Sequence, residues 1–196
     1  MRFNTKVKNC TLCSELVPHR TNVVLGEGPV PCNIVFLGEA PGATEDKVGL
    51  PFKGPAGSLL RADAYAAGLR EGKDFHILNM LKCRPPDNRD PRLEELRNCL
   101  PFLMHQLSII KPKVIVCMGR FAQGFVLQKH PREIRVLQNA GKIIKPKRTI
   151  KNAKPQAILT FHPAFVMRNK GNNIEEAFIG HLRKARKLAC IAQTAK

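Results

Sequence analysis

Residues 33–57, NIVFLGEAPGATEDKVGLPFKGPAG, decide the fold of this chain. They open with an apolar run, Ile34 to Leu37, whose length and β-branched content are typical of a buried strand. The run ends in the turn-rich loop 38–42, and in open α/β sheets ligands bind at the carboxyl ends of the strands. A second glycine-rich turn, residues 52–57, follows and begins with the aromatic residue Phe52. Two loops with exposed backbone, 38–42 and 52–57, therefore follow each other in the sequence, and the ring of Phe52 begins the second loop.

The rest of the chain repeats the alternation of strand and helix patterns. Apolar runs typical of strands recur at residues 75–80, 113–119 and 157–160. Helical spacing separates them at 58–69, 93–110 and 121–128, and returns at 173–192. Such alternation predicts a parallel sheet with helices on both faces. We therefore predict an α/β fold, a single-domain three-layer α/β/α arrangement with a central, mostly parallel, four-stranded sheet.

A basic segment interrupts this pattern. Residues 131–154 contain eight Lys or Arg side chains and a single acid, Glu133. Alternation around Ile134 and around Ile143, with a glycine turn between them, favours a hairpin. A solvated, disordered loop is the alternative. We predict one domain over residues 1–196 with a basic hairpin or loop insertion at about 131–156.

The charge of the chain favours a polyanionic partner. Lys and Arg number 33 against 15 acids, which gives the 196 residues a net charge of +18. Such an excess favours nucleic acid as the partner, although a solubilising surface is the plain alternative. The chain has neither a signal-peptide pattern at its start nor the roughly 18 successive apolar residues of a membrane span. We expect a cytoplasmic, nucleoid-associated monomer without membrane contact.

Seven cysteines in a chain without secretory features suggest metal ligands or buried thiols rather than disulfides. Cys10 and Cys13 form a C-x-x-C pair, and Cys83 and Cys99 follow at wide spacing. Four widely spaced thiolates suit an iron–sulfur cluster, while zinc and unligated thiols stay open on spacing alone. The remaining three are predicted to be buried apolar thiols, namely Cys32, Cys117 and Cys190.

Short motifs along nearly the whole chain resemble those of the iron–sulfur, or family 4, uracil-DNA glycosylases. They are CTLC at 10–13, GEAPGATED at 38–46, GLPFKGPAG at 49–57, LNMLKCRPPDNRDP at 78–91, KPKVIVCMG at 111–119 and TFHPAFVMRN at 160–169. The resemblance implies a 4Fe-4S cluster as cofactor, with Cys10, Cys13, Cys83 and Cys99 as its ligands. It also implies a monofunctional DNA-repair hydrolase that removes uracil and leaves an abasic site.

The same resemblance assigns the residues that bind the base. Phe52 is implied as the platform for a flipped-out uracil, and Asn79 as the amide that reads its Watson–Crick edge. Cytosine presents the opposite donor and acceptor pattern, and a mispaired buried amide can discriminate by roughly 10⁴-fold. The 39–45 loop, with Glu45, is implied as the wall that excludes the thymine methyl group.

Two residues are implied in catalysis. His162 is placed by the resemblance to donate, as a neutral imidazole, to uracil O2, where negative charge develops. The backbone of Glu39, Ala40 and Pro41 would assist, although Pro41 has no N–H. Better-known branches carry a water-activating Asp or Asn where this chain has Ala40. Either Glu39 or Glu45 positions the water, or stabilisation of the leaving group is sufficient. We expect the second, with Glu39 assisting the water.

The segment after His162 resembles the loop that fills the vacated base stack. Phe165, Val166 and Met167 could supply an apolar wedge. Cations that could hold DNA phosphates are Arg84, Arg89 and Arg168.

The predicted partner is uracil-containing DNA, single- or double-stranded. Two other functions stay open: a non-catalytic iron–sulfur nucleic-acid-binding module, and a family 5-like glycosylase of broader base specificity, for which Ala40 would leave room.

Overall fold

A computed structural model describes residues 3–169 and 171–194, and its centre is a five-stranded sheet in the order β2-β1-β3-β5-β4. The strands are β1 (Ile34–Gly38), β2 (Phe75–Asn79), β3 (Val114–Met118), β4 (Ile143–Ile144) and β5 (Gln156–Thr160). All pairs are parallel except β4 with β5. The predicted count of four strands is therefore wrong by one short edge strand, while the mostly parallel α/β sheet is confirmed.

Helices cover both faces of the sheet. They are α1 (Phe3–Lys8), α2 (Ala43–Val48), α3 (Pro55–Ala66), α4 (Leu93–Ile110), α5 (Gly119–Leu127), α6 (Val136–Asn139), α7 (Pro163–Arg168) and α8 (Ile174–Thr194). Alternate residues of β1 point to opposite faces, as the strand period requires. Phe36 packs in the core under α3 and α8, whereas Leu37 packs in the core under α4 and α5. This is the predicted three-layer arrangement.

The strand register brings four strand ends to one edge of the sheet. Gly38 lies opposite Asn79 in the β1–β2 pair, and Met118 lies opposite Thr160 in the β3–β5 pair. Because these strands are parallel and similarly long, the loops after them open at the same edge. This edge is where the site predicted from the sequence lies.

The basic segment differs from the predicted hairpin. Residues 131–133 form a 3₁₀ turn that begins at Pro131, and α6 follows instead of a strand around Ile134. The one strand of the basic segment is limited to Ile143 and Ile144, which pair with the open edge of β5. A proline at the first position of a helical turn has a favourable φ, which explains the helical choice. The one-domain organisation stays a prediction.

The start of α3 differs from the sequence pattern. It begins at Pro55 with Gly54 as its N-cap residue, rather than at residue 58, because proline is favoured at the first helical position. α4 has the predicted bounds and continues through Pro101. No helix in residues 3–169 and 171–194 is long and apolar enough to cross a membrane.

Candidate active site

A cavity of about 810 Å³ opens at the carboxyl edge of the sheet. The substrate-binding residues predicted from the sequence all line it: Glu39, Ala40, Pro41, Glu45, Phe52, Asn79 and His162. They come from the loop after β1, from α2, from the last residue of β2, from the turn before α3 and from the loop after β5. Ligand pockets are commonly about 300–1,000 Å³, so this one can hold a base together with part of its nucleotide. Their roles in binding stay predictions.

Phe52 is held in an unusual backbone conformation. Its φ is 54°, in the left-handed region that non-glycine residues seldom occupy, and its side chain is buried. The Arg61 guanidinium donates to the Phe52 carbonyl oxygen and also to Glu27. A Cβ at Gly57 would lie 1.7 Å from that same carbonyl oxygen, so the turn requires glycine there. The surrounding turn therefore fixes the ring against the cavity.

Asn79 presents an unsatisfied acceptor to the cavity. Its side chain is only 3% exposed, and its Oδ1 has no hydrogen-bond partner among the described residues. Gly38 makes room for it, because a Cβ there would lie 2.4 Å from Oδ1 and 2.6 Å from Phe52 Cζ. A buried, unpaired amide oxygen is costly in a folded protein. Its position indicates a ligand that donates a hydrogen bond.

His162 faces Phe52 with one nitrogen already engaged. The two ring centroids are 5.8 Å apart, and His162 Nδ1 accepts from the backbone N–H of Ala164 at 3.2 Å. Burial, with a smaller contribution from Arg168, lowers the pKa of His162 to about 4. The imidazole is therefore neutral at pH 7, and since Nδ1 accepts, its proton lies on Nε2. This leaves Nε2–H as a donor.

Glu39 lies at the end of β1 with a perturbed carboxyl group. Burial, and to a smaller extent the negative charge of Asp90, raises its pKa from 4.5 to about 7, and Arg120 opposes both. Arg120 also forms an ion pair with Asp90 across the rim of the cavity. Glu39 can therefore exchange a proton near neutral pH, which suits a group that orients or activates water.

Glu45 connects the two loops rather than presenting a free carboxylate. One oxygen accepts from the backbone N–H groups of Lys53 and Gly54, each at 2.8 Å, and the other accepts from Gly42 at 3.1 Å. These three bonds hold the β1 loop against the turn that contains Phe52. A role in the wall is compatible with this geometry, because the position of the wall then depends on Glu45.

The predicted DNA-contacting residues separate into two groups. Arg89, Phe165 and Arg168 line the cavity, whereas Arg84 and Met167 lie outside its lining. Arg84 donates to Asn88 Oδ1, and Met167 is exposed on α7.

Val166 cannot be a wedge. It is fully buried in the core shared with α3 and α8, so its suggested contribution is wrong. On a helix as short as α7, neighbouring residues point in different directions, and Val166 points inward.

The four cysteines predicted as ligands line one small second cavity. Cys83 and Cys99 are buried and Cys10 and Cys13 half-buried, and Arg20, Lys82 and Asn98 complete the wall. The Arg20 guanidinium donates to Cys83 Sγ at 3.3 Å. No three His, Cys, Asp or Glu side chains in the described chain are close enough to hold a single metal ion.

Lys82 shows that the second cavity suits an anionic group. Its side chain is fully buried, and its ammonium donates to the Asn79 carbonyl oxygen at 2.7 Å. Burial lowers the pKa of Lys82 to about 8, and no carboxylate forms an ion pair with it in the described residues. An isolated buried cation is unfavourable. A cluster held by four thiolates carries net negative charge, so these residues fit it.

The other three thiols do not share one environment. Cys32 and Cys117 are buried, as predicted. Cys190 is exposed on α8, so its predicted burial is wrong. It lies on the outer side of the helix, where one apolar residue carries little penalty.

Three residues of these sites were missed from the sequence. Lys82 and Arg120 each follow closely after a strand end, which was the available signal. Leu137 lines the first cavity from α6 with 65% of its side chain exposed. No pattern marked Leu137, because the segment around it was interpreted as a hairpin.

Comparison with known proteins supports the resemblance. Residues 25–186 match the family model of the uracil DNA glycosylase superfamily. A type-4 uracil-DNA glycosylase of Thermotoga maritima is 41% identical over 181 residues, which cover 92% of this chain and 90% of that protein. A type-4 uracil-DNA glycosylase of Archaeoglobus fulgidus is 44% identical over 163 residues, covering 83% and 80% respectively.

A type-5 enzyme is more distant. The type-5 uracil-DNA glycosylase of Pyrobaculum aerophilum is 25% identical over 93% of this chain and 90% of its own length. Both the motifs and the degree of identity therefore favour the type-4 branch. The chain belongs to the type-4 uracil-DNA glycosylases of the uracil DNA glycosylase superfamily.

Proposed function

We propose that this protein hydrolyses the N-glycosidic bond of flipped-out uracil in DNA and leaves an abasic site, as a monofunctional enzyme of base excision repair. The observation that carries the proposal is the unpaired, buried Oδ1 of Asn79, beside the Phe52 ring and opposite His162. A planar ligand with a hydrogen-bond donor satisfies this arrangement. Chemistry on a base within DNA requires the base to leave the stack.

The oxygen and the nitrogen of the Asn79 side-chain amide together recognise uracil. Oδ1 accepts the N3–H of uracil while Nδ2 donates to O4, and the ring of Phe52 stacks on the base. Cytosine has an acceptor at N3 and a donor at the exocyclic amine, so it would meet like groups at both positions. Because the amide is buried, such a mismatch discriminates by roughly 10⁴-fold.

Bond cleavage is driven by stabilising the departing base. His162 Nε2–H donates to uracil O2 as negative charge accumulates there, and the backbone N–H groups of the loop after β1 add to it. A neutral donor is sufficient, since preorganised dipoles in a water-poor site can each contribute about 3 kcal/mol. The lowered pKa of His162 keeps the imidazole neutral at pH 7, so that Nε2–H acts as a neutral hydrogen-bond donor.

Glu39 assists the incoming water. In its ionised form the carboxylate accepts a hydrogen bond from the water that attacks the sugar. Its pKa of about 7 leaves a substantial ionised fraction at neutral pH. Ala40 cannot serve as a base. Glu39 contributes less than His162, because it acts mainly by orienting the water.

The loop that Glu45 holds in place excludes thymine from the cavity. Its three backbone hydrogen bonds set the distance between the β1 loop and the Phe52 turn. A methyl group on the base would need space that this junction occupies.

DNA would lie across the rim of the cavity. Arg84, Arg89 and Arg168 suit contacts to phosphates, and Phe165 with Met167 suits the gap left by the flipped nucleotide. Arg89 is braced by Glu95 at 2.5 Å, which fixes its direction. We infer that the protein acts as a monomer on uracil-containing DNA, single- or double-stranded, in the cytoplasm at the nucleoid.

Cys10, Cys13, Cys83 and Cys99 would hold a 4Fe-4S cluster in the second cavity. When bound, the cluster joins the segment after α1 to the loop after β2 and to α4. Lys82 supplies the cation beside these thiolates, and the same ammonium donates to the Asn79 carbonyl oxygen. The cysteine cavity thus supports the strand end that reads the base.

The proposal is tested by incubating the purified protein with an end-labelled oligonucleotide that contains one uracil, followed by alkali. Strand cleavage at the uracil position is expected, and no cleavage with cytosine or thymine there. Cleavage at hypoxanthine as well would favour the broader, type-5-like specificity. Binding without any cleavage would overturn the proposal in favour of a non-catalytic module.

A further inference from the structure

An exposed leucine lies in the lining of the base cavity. Leu137 belongs to α6 and is 65% exposed, and it contributes to the cavity lining together with Val136 and Phe165. A single exposed leucine is ordinary on a protein surface. Leu137 differs from the other large exposed apolar residues of the described chain in that it lines the cavity that would receive a nucleotide under the proposed function, where DNA would cover it.

The helix that carries Leu137 is anchored to β5, the strand that precedes His162. Asn139 Nδ2 donates to Gln123 Oε1 at 3.3 Å, and Gln123 Nε2 donates to the Thr160 carbonyl oxygen at 3.0 Å. Gln123 is fully buried, so this connection is shielded from water. Val136 packs against the core while Leu137, the next residue, points outward. These contacts hold α6 in place, and with it the position of Leu137.

The surroundings of Leu137 are cationic. Arg135 and Lys142 are exposed on the same segment, and Arg120 and Arg168 line the cavity nearby. Cations of this kind attract a phosphate backbone without reading its sequence. An apolar tip among cations is the usual composition of a side chain that enters a base stack.

We propose that Leu137 is a second DNA wedge, which packs against the bases beside the flipped uracil while α7 supplies the first wedge. This inference rests on the proposed function and extends it to a residue outside the α7 segment. The flipped nucleotide would pass between α6 and α7. Leu137 would fill part of the stack that the nucleotide leaves, and so oppose its return.

The test compares duplex with single-stranded substrates. Uracil in a duplex must leave a stack, whereas uracil in a short single strand is already largely free. For Leu137→Ala we expect the ratio of duplex to single-strand uracil release to fall about tenfold, the loss typical of one buried apolar side chain. Leu137→Phe should restore most of the ratio, and Leu137→Ser should not.

Ile143→Ala is the matched control, because Ile143 is an exposed apolar residue of the same basic segment that does not line the cavity. It should leave the ratio unchanged. A second readout is the fluorescence of 2-aminopurine placed opposite uracil, which rises when the stack opens; Leu137→Ala should reduce this rise and Leu137→Phe should retain it.

An unchanged ratio in Leu137→Ala, or an equal loss on both substrates, would overturn the wedge while uracil release by the unmutated protein continued. No uracil release from either substrate by the unmutated protein would instead overturn the proposed function. The two failures are therefore distinguishable.

Discussion

The base cavity and the cysteine cavity are built from the same short stretch of chain, yet they have opposite character. Asn79 belongs to the first and Cys83 to the second, and only three residues separate them. The base cavity is open, with a free amide oxygen and a neutral histidine. The cysteine cavity is small and largely apolar, and its polar side chains contact the thiols or the backbone.

This difference indicates a transient ligand in one cavity and a resident one in the other. An open cavity with unpaired polar atoms can exchange its contents with water, at a cost in stability that a substrate removes on binding. A fully buried cation, such as Lys82 in the cysteine cavity, needs permanent compensation. Lys82 joins the two, because its ammonium lies with the thiols and donates to Asn79.

The largest effect confined to the base cavity is expected from His162→Ala. Removing the proposed donor to uracil O2 should lower kcat by about 100- to 1,000-fold, as for other oxyanion donors. Binding to DNA should change little, because the side chain faces the base rather than the phosphates. Single-turnover uracil release and a separate binding titration measure the two effects.

His130→Ala is the control for His162. Its Nδ1 accepts from the Arg132 N–H at 3.1 Å, so His130 caps a turn in the same way but lies outside the cavity. Near-normal activity is expected. If His162→Ala weakened DNA binding as much as turnover, the residue would be structural.

Gly38→Ala tests the close packing on which the base cavity depends. The added methyl group would lie 2.4 Å from Asn79 Oδ1 and 2.6 Å from Phe52 Cζ. Displacing both side chains should lower kcat/KM by about 100-fold, since misplacement of about 1 Å can cost that much. The visible absorbance of the proposed cluster should stay normal, because the second cavity is not touched.

Gly180→Ala adds the same methyl group where no atom lies within 4 Å, and it should have no effect on uracil release. Loss of absorbance in Gly38→Ala would show that the cavities are not separable.

Glu39 is expected to make uracil release depend on pH. Since its pKa is raised to about 7, kcat/KM should rise with pH through about 7, as the carboxyl group ionises. His162, with a pKa of about 4, stays neutral over this range. Glu39→Gln should lower activity about tenfold at pH 8 and flatten the profile. A retained midpoint near 7 in this variant would assign the titration to another group.

The same ionisation has a consequence for stability. The folded protein binds the Glu39 proton more tightly than the unfolded chain, whose value is near 4.5. The contribution of Glu39 to the free energy of unfolding is thus fully present below about pH 4.5 and is lost as the pH rises through about 7.

Asp90→Asn should shift the midpoint of the pH–activity profile to lower pH, because it removes a negative charge that raises the pKa of Glu39.

Lys82→Met tests the connection between the cavities and should have the smallest effect on uracil release. Losing one hydrogen bond to Asn79 is worth about 1 kcal/mol, or roughly fivefold. Loss of iron to a chelator, followed at the visible absorbance band, should be at least about tenfold faster, as for other residues beside metal ligands.

Lys113→Met, a half-buried lysine at the opposite edge of the sheet, is the control and should change neither quantity. Normal iron retention in Lys82→Met would mean that the cavity does not need its cation.

Much of the fold was predictable because the local pattern and the tertiary structure agree. The runs of β1 and β3 are buried throughout, so their apolar composition identifies them as strands of a parallel sheet. Asn79 and His162 follow such runs, and parallel strands bring their ends together. The four cysteines could be grouped because the motifs around them resemble one family.

The remaining features depend on contacts between distant segments. The buried side chain of Lys82 could not be predicted, because lysine is ordinarily exposed and its partners come from other elements. The three backbone contacts of Glu45 depend on how two loops meet. The helix around Leu137 was missed because alternation over so few residues does not distinguish a hairpin from a helical turn.

The most direct test of the central claim is the base preference of Asn79→Asp on single-stranded oligonucleotides with uracil or cytosine at one position. A protonated aspartate donates to N3 of cytosine and accepts from its amino group, so we expect weaker uracil release and measurable cytosine release. An unchanged preference for uracil would contradict the claim that Phe52, Asn79 and His162 together hold one flipped pyrimidine.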